Sequence, residues 1–278
     1  MVAVVSPRPA DSSRVLFLGD IVGRAARNAV IEQLADIRQE LDIQFAVVNA
    51  ENSAGGFGIT PQISDQLLAA GCDVLTTGNH VFDKGEISPY FAQQPRLIRP
   101  VNMDNAFPGS GHVIIRNDAG VKLAVINVMA NLFMAENDNA FAAMDKVLNS
   151  LRLKDEADII VVDIHGEATS EKMAMGHYLD GRVSLVVGTH THIPTADHHI
   201  LEGGTAYQTD AGMCGSYDSV IGMNKDAAIG RFTNKKNGSL SVAGGEPSLC
   251  GLIVDVDNKT GLARSVTPFR RGGVLSSS

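Results

Sequence analysis

Ser184-Leu185-Val186-Val187-Gly188-Thr189-His190-Thr191-His192 is a β-branched apolar run that ends at a glycine and delivers two histidines one residue apart. Such a run is the pattern of a central strand leaving a sheet, and open α/β sheets bind their ligands where strands end. If the segment stays extended, alternation sends His190 and His192 to the same side of the chain, within reach of one metal ion or of two neighbours. Taken alone, the pair reads equally as a polar surface loop. Four more strand-like runs decide between the two.

Upstream, Asp158 to Asp163 is a second buried-looking run, and it leads into Ile164-His165-Gly166-Glu167. Arg14-Val15-Leu16-Phe17-Leu18 ends in Gly19-Asp20, Phe45 to Asn49 in Ala50-Glu51-Asn52, and Asp73 to Thr77 in Gly78-Asn79-His80. Helical periodicity separates them: Ala25, Ala29, Leu34, Ile37 and Leu41 predict a helix over 24–41, and Ala135 to Leu153 reads as another. Thr60-Pro61 predicts a helix start that runs to Gly71, and Thr169 or Ser170 is expected to cap a helix with Glu171 in its first turn. Helices between the strands predict parallel pairing. Two hairpins are expected besides, His112–Arg116 with Val121–Val125 and Leu249–Val256 with Ala263–Phe269. The class is therefore α/β (α+β): two sheets face to face with helices outside. Residues 86–111, with four prolines, read as irregular, and Ser53 to Gly58 and Asp210 to Gly222 as glycine-rich loops over the site.

At 278 residues a single domain over 14–272 is expected, between a flexible leader (1–13) and a short tail (273–278). The 23 Lys and Arg against 31 Asp and Glu offer no positive track for a long nucleic acid and favour a small ligand. Cys72, Cys214 and Cys250 lack the spacing of a disulfide framework or thiolate zinc site, which fits a reducing cytoplasm. No apolar run approaches the ~20 residues of a membrane span. The composition is compatible with a homo-oligomer, and the Asn-x-Ser/Thr matches at Asn237 and Asn258 read as chance.

The strand ends together supply Asp20, Glu51, Asn52, Asn79, His80, His165, His190 and His192. Oxygen and imidazole donors without thiolate suit manganese, iron or zinc. So many donors predict two ions, which at ~3.5–4 Å apart hold a phosphoryl group and lower the pKa of a shared water. Glu51 is the candidate bridging carboxylate, and Asp163 and Glu167 flank His165 as orienting groups. His112, His177, His198 and His199 have no such partners and read as structural or solvated, and Asn49 as a satisfier of backbone groups.

The ordered set of motifs resembles the calcineurin-like metallophosphoesterases, with two departures. Val22 stands where their first motif has a histidine, and Glu51-Asn52 stands in place of Gly-Asp. Those departures match one branch. Through Leu16 to Gly23, Asn49 to Asn52, Thr77 to His80, His165 to Lys172, Val187 to His192 and Thr209 to Met213, the chain is similar to the YmdB family. The resemblance implies a four-layer αββα sandwich with a binuclear, often iron-containing, centre that hydrolyses 2′,3′-cyclic nucleotides to 3′-nucleotides by attack of a metal-bridging hydroxide. It places Asp20, Glu51, Asn52 and His192 on one metal, Glu51, Asn79, His165 and His190 on the other, and makes His80 the proton donor. Two other readings remain: a phosphomonoesterase such as a nucleotidase with the same centre, and a non-catalytic metal- and nucleotide-binding regulator.

Overall fold

Alternation along the first strand shows why the chain needs four layers. In β1 (Ser12–Leu18), Val15 and Phe17 face one side and Leu16 and Leu18 the other, and all four are buried. A strand apolar on both faces must be covered on both. The computed structural model describes residues 5–235 and 239–277. The first residues of the expected leader, the match at Asn237 and the last serine lie outside them.

After β1 come β2 (Asp20–Ile21), α1 (Gly23–Glu40), β3 (Phe45–Asn49), α2 (Pro61–Ala69), β4 (Val74–Thr76) and the short α3 (Ile87–Tyr90). Next are β5 (His112–Arg116), β6 (Lys122–Met129), α4 (Ala140–Leu148), β7 (Ile159–His165), α5 (Thr169–Leu179) and β8 (Leu185–Thr189). The chain closes with β9 (His199–Ile200), β10 (Ala206–Gln208), β11 (Met213–Cys214), α6 (Lys225–Phe232), β12 (Leu249–Asp257) and β13 (Ala263–Arg271).

One sheet has the order β13-β12-β1-β3-β4 and the other β5-β6-β7-β8-β10-β9. Val15, Phe17, Phe45, Val47 and Val74 of the first meet Val125, Val161, Leu185 and Val187 of the second in the layer between them. Leu16, Leu18, Ala46 and Val48 turn instead to Val30, Leu34 and Ile37 of α1 and Leu67 of α2. On the far side, Ile126, Ile160, Val162 and Ile164 pack under Met144 of α4 and Met175 and Leu179 of α5. Each such side chain taken fully out of water contributes roughly 1.5–3 kcal/mol. The result is the expected αββα sandwich.

Several local expectations shift. β1 opens at Ser12, where Ser12 and Ser13 already pair with Asp257 and Val256, and it breaks at Gly19. Asp20 and Ile21 then pair in parallel with Met213 and Cys214. The fourth helix starts at Ala140, because the side chain of Asn139 caps it by accepting from the Ala142 N–H at 2.9 Å. Thr60 caps α2 as expected, but α5 has Ala168 at its cap and no side-chain cap bond. Glu171 stands in the first turn as expected, and its carboxylate accepts from the backbone N–H groups of Asn131 and Leu132, both at 2.8 Å, and so ties the loop after β6 to α5.

Candidate metal centre

The layer between the sheets is apolar along most of its length and turns polar at one end. β1, β3 and β4 run parallel, as do β6, β7 and β8, so their carboxyl ends gather on the same edge. Because side chains alternate, the face that carries Val47, Val74, Val161 and Val187 carries Asn49, Thr76, Asp163 and Thr189 two residues later. All four of these polar residues are fully buried. Asp163 accepts from Asn49 Nδ2 at 3.0 Å, from Thr189 Oγ1 at 2.6 Å and from the Thr76 hydroxyl. Burial nevertheless pushes its carboxyl up to about 7.

This polar floor orients what stands on it. Thr189 Oγ1, having donated to Asp163, accepts from His165 Nδ1 at 2.9 Å, which turns His165 Nε2 toward the site. That nitrogen lies 3.2 Å from Glu51 Oε2, 3.1 Å from Asn79 Oδ1 and 3.1 Å from His190 Nδ1. Glu51, His165 and His190 bring one donor atom each within 4.8 Å of one another. Beside them, His192 Nε2 is 3.8 Å from Asp20 Oδ1 and 3.3 Å from Asn52 Nδ2. His192 Nδ1 donates to the Ile221 carbonyl at 2.8 Å, which fixes that ring as well. Gly78 sits where Cβ would meet Glu51 Oε2 at 1.9 Å and His165 Nε2 at 2.3 Å, so no other residue fits there.

The seven strand-end residues read from sequence as donors, Asp20, Glu51, Asn52, Asn79, His165, His190 and His192, are thus brought together. Their route differs from the expectation: β8 ends at Thr189, and His190 and His192 adopt φ of 95° and 67°, a left-handed backbone rather than an extended one. Asp210 holds that bend. Its Oδ2 accepts from the Thr191 N–H at 3.1 Å, from Thr191 Oγ1 at 2.7 Å and from Lys172 Nζ at 2.8 Å, while Oδ1 accepts from the Gly212 N–H at 2.9 Å. Lys172 is itself fully buried and also donates to the Thr189 carbonyl at 2.7 Å. Sequence reasoning gave no role to Thr189, Lys172, Asp210 or Ile221. A lysine on a helix and a carboxylate in a glycine-rich loop read as solvated until the fold buries both. Asp163 orients His165 as expected, though through Thr189, whereas Glu167 pairs with His190 Nε2 at 3.5 Å.

The electrostatics are those of ligands without a counter-charge. Asp20 Oδ1, Glu51 Oε2 and Asn52 Oδ1 are buried and have no hydrogen-bond partner among the described residues. Burial pushes the Glu51 carboxyl up to about 7 and raises that of Asp20, against the pull of neighbouring histidines. Burial likewise lowers His165 to about 4 and holds His190 far down, with the adjacent rings adding to the effect. Carboxyls pushed toward the neutral form beside imidazoles that resist protonation fit cation binding, because such imidazoles keep their lone pairs free.

Outside the donors lies a cavity of about 300 Å³ whose polar lining includes Glu51, Asn52, Glu167, His190, Thr191 and His192. His80 and Phe57 also border it, with the Phe57 ring edge-on to the imidazole at a centroid distance of 5.0 Å. His80 Nδ1 is taken up by Asp83 Oδ2 at 2.7 Å.

A profile of YmdB-like proteins matches residues 16–269 of this sequence. The chain belongs to that family. It is 40% identical over 247 residues to the 2′,3′-cyclic-nucleotide 2′-phosphodiesterase of Bacillus subtilis, covering 89% of this chain and 92% of that one. A putative phosphatase/phosphodiesterase of Mycoplasma pneumoniae is 35% identical over 257 residues, 90% of both chains. Among solved structures, a hypothetical protein from Thermus thermophilus superimposes with a TM-score of 0.86 at 35% identity, over 94% of this chain and 100% of its own. A Mycoplasma pneumoniae protein described as a novel phosphatase gives 0.86 at 31% identity, over 94% of each. The sandwich is the metallophosphoesterase fold.

Proposed function

We infer that this chain is a metal-dependent phosphoric diester hydrolase that opens 2′,3′-cyclic nucleotides at the 2′ ester to give 3′-nucleotides. The observation that carries the reading is the pair of buried, unpartnered carboxylate oxygens on Asp20 and Glu51 beside His192 and His165. A buried acceptor left without a donor costs about 1–3 kcal/mol or more when charged, so a chain that keeps two of them together has a ligand for them. The substrate comes from the Bacillus subtilis relative, whose described activity this is.

Asp20, Glu51, Asn52 and His192 would hold one cation and Glu51, Asn79, His165 and His190 the other, with Glu51 shared. For Asn52 this requires the amide to turn about Cβ–Cγ, exchanging Nδ2 and Oδ1 so that the oxygen faces His192. The donors suit manganese, iron and zinc alike, and the family resemblance ranks iron first. Paired cations lower the pKa of water and neutralise phosphoryl oxygens. The rest falls to the protein. His80 holds the proton for the departing ribose oxygen, and its pairing with Asp83 fixes the ring so that Nε2 delivers it. Phe57 packs on the ring and limits its swing.

Metal analysis of protein purified without added metal, combined with turnover of 2′,3′-cyclic AMP, 3′-AMP and 5′-AMP, tests the reading. About two equivalents and faster turnover of the cyclic diester are expected. Faster monoester turnover assigns the protein to the nucleotidases, and full activity without metal removes the centre altogether. His80→Ala is expected to lower kcat by about 10²-fold or more with metal content retained.

A further inference from the structure

The cavity beside the donors has a second wall of a different kind. Gly56, Phe57, Ile221, Met223 and Leu240 line it, and none of their side chains offers a hydrogen-bonding group. Two distant segments meet to build this wall: a Cβ added at Gly56 would lie 3.2 Å from Met223 Cε. Part of the polar backbone around it is already committed. Gly56 N–H donates to the Asn52 carbonyl at 3.1 Å, Met223 exchanges both its groups with Val220 at 2.9 Å, and the Ile221 carbonyl accepts from His192.

Ile221 has a conformation that needs a reason. It is β-branched, stands at φ 46° and is half exposed. A branched residue in the left-handed region is held there at a cost, and such residues gather at functional sites. Here the bend does two things at once. It brings the carbonyl onto His192 Nδ1 and presents the side chain to the cavity.

We propose that the Phe57, Ile221, Met223 and Leu240 wall is the nucleobase subsite, and that it accepts all four bases because it recognises their faces and not their edges. The proposal rests on the cyclic-nucleotide reading above. Apolar side chains and an aromatic ring bind any base, since every base has a π-face, whereas discrimination needs donors and acceptors set against its edge. Among the described residues, the side chains of the wall have the first and lack the second. With the phosphate held at the donor side and the base against the apolar side, the ribose spans the cavity and its 2′ oxygen comes to the His80 edge. A cavity of about 300 Å³ is at the small end for ligand sites and suits one nucleoside.

The test uses the metal-loaded full chain with the 2′,3′-cyclic phosphates of adenosine, guanosine, cytidine and uridine, and with 1-O-methylribose 2′,3′-cyclic phosphate, which has no base. Wild-type kcat/KM should agree within about tenfold among the four nucleosides and exceed that for the base-free ester by about tenfold or more. Met223→Ala should lower the ratio of nucleoside to base-free turnover about tenfold, through KM rather than kcat, and Phe57→Ala should lower that ratio similarly while also lowering kcat for both esters, because it frees the His80 ring. Ile221→Gly keeps the carbonyl, relieves the backbone and removes the side chain, so it should lower the same ratio. Calorimetry with 3′-AMP gives a readout independent of turnover, and the three variants should weaken binding by a similar factor. Equal wild-type turnover of the nucleoside and base-free esters overturns the subsite while leaving the phosphodiesterase reading intact. A preference for one base beyond about a hundredfold overturns the base tolerance. Hydrolysis of neither kind of ester by wild-type protein overturns both inferences.

Discussion

The two ends of β1 each bury a charge, and the protein treats them differently. At the start, Arg14 and Asp255 form a two-pronged pair, Nε to Oδ1 at 2.7 Å and Nη2 to Oδ2 at 2.9 Å. Arg14 also donates to the Leu41 carbonyl, and Asp255 also accepts from Ser265 Oγ at 2.8 Å. Just past the other end, Asp20 keeps Oδ1 without a partner, beside Glu51 and Asn52 in the same condition. The first arrangement is closed and belongs to the fold. The second is left open on the protein side and calls for a ligand. What separates structural from functional buried charge here is the satisfaction of its acceptors, since burial itself is nearly the same at both ends.

That contrast breaks if the two ends respond alike to mutation. Glu51→Gln is expected to lower kcat/KM for 2′,3′-cyclic AMP about 10³-fold or more, because several kcal/mol of transition-state charge stabilisation go with the metals. Without metal, the same variant should melt no lower than the parent, since it removes an uncompensated buried carboxyl. Steady-state kinetics and thermal melts with and without chelator check both parts. Arg14→Ala should do the reverse, costing about 3–5 kcal/mol in denaturant unfolding by stranding Asp255 while leaving kcat of the folded fraction unchanged.

Two smaller effects sharpen the open end. Thr189→Val cuts the link from Asp163 to His165 Nδ1 and should weaken metal affinity about 10- to 100-fold, read by competition with a chelator. The pH dependence of that affinity has a defined sign. Burial raises Glu51 to about 7, so a proton competes with the cation up to that pH, whereas His165, lowered to about 4, is already neutral. Affinity should therefore rise about tenfold per pH unit toward 7 and then level off. Stability of the metal-free protein shows less, because the two groups oppose each other. Glu51's contribution, fully present below its unfolded pKa, is lost as pH rises to about 7, while that of His165 is lost as pH falls toward about 4. An affinity that stays flat from pH 5 to 8 would remove Glu51 from the centre.

Much of this was legible in the residues themselves. Five apolar runs ending in Asp, Glu, Asn or His gave the strands and pointed to their carboxyl ends, because a two-residue period and a following glycine are local properties of the chain. The four layers followed from strands apolar on both faces. Helix starts were less legible: Thr60 behaves as its neighbours suggest, whereas α5 begins without the expected Thr169 or Ser170 cap, and Glu171, in its first turn as expected, directs its carboxylate to Asn131 and Leu132, a choice set by a loop 40 residues away. Lys172 and Asp210 could not be recognised as a buried pair until α5 and the loop after β10 were packed together.

By itself the sequence determined which side chains can bind cations and the order in which strands deliver them, since both depend on residue type and short-range spacing. Tertiary structure alone decided which oxygens are left without donors, which way each imidazole faces and where the apolar wall stands. Those properties depend on atoms tens to hundreds of residues apart coming within 3 to 4 Å, as Asn49 does with Asp163 and Asn52 with His192. No pattern within one segment encodes such a distance.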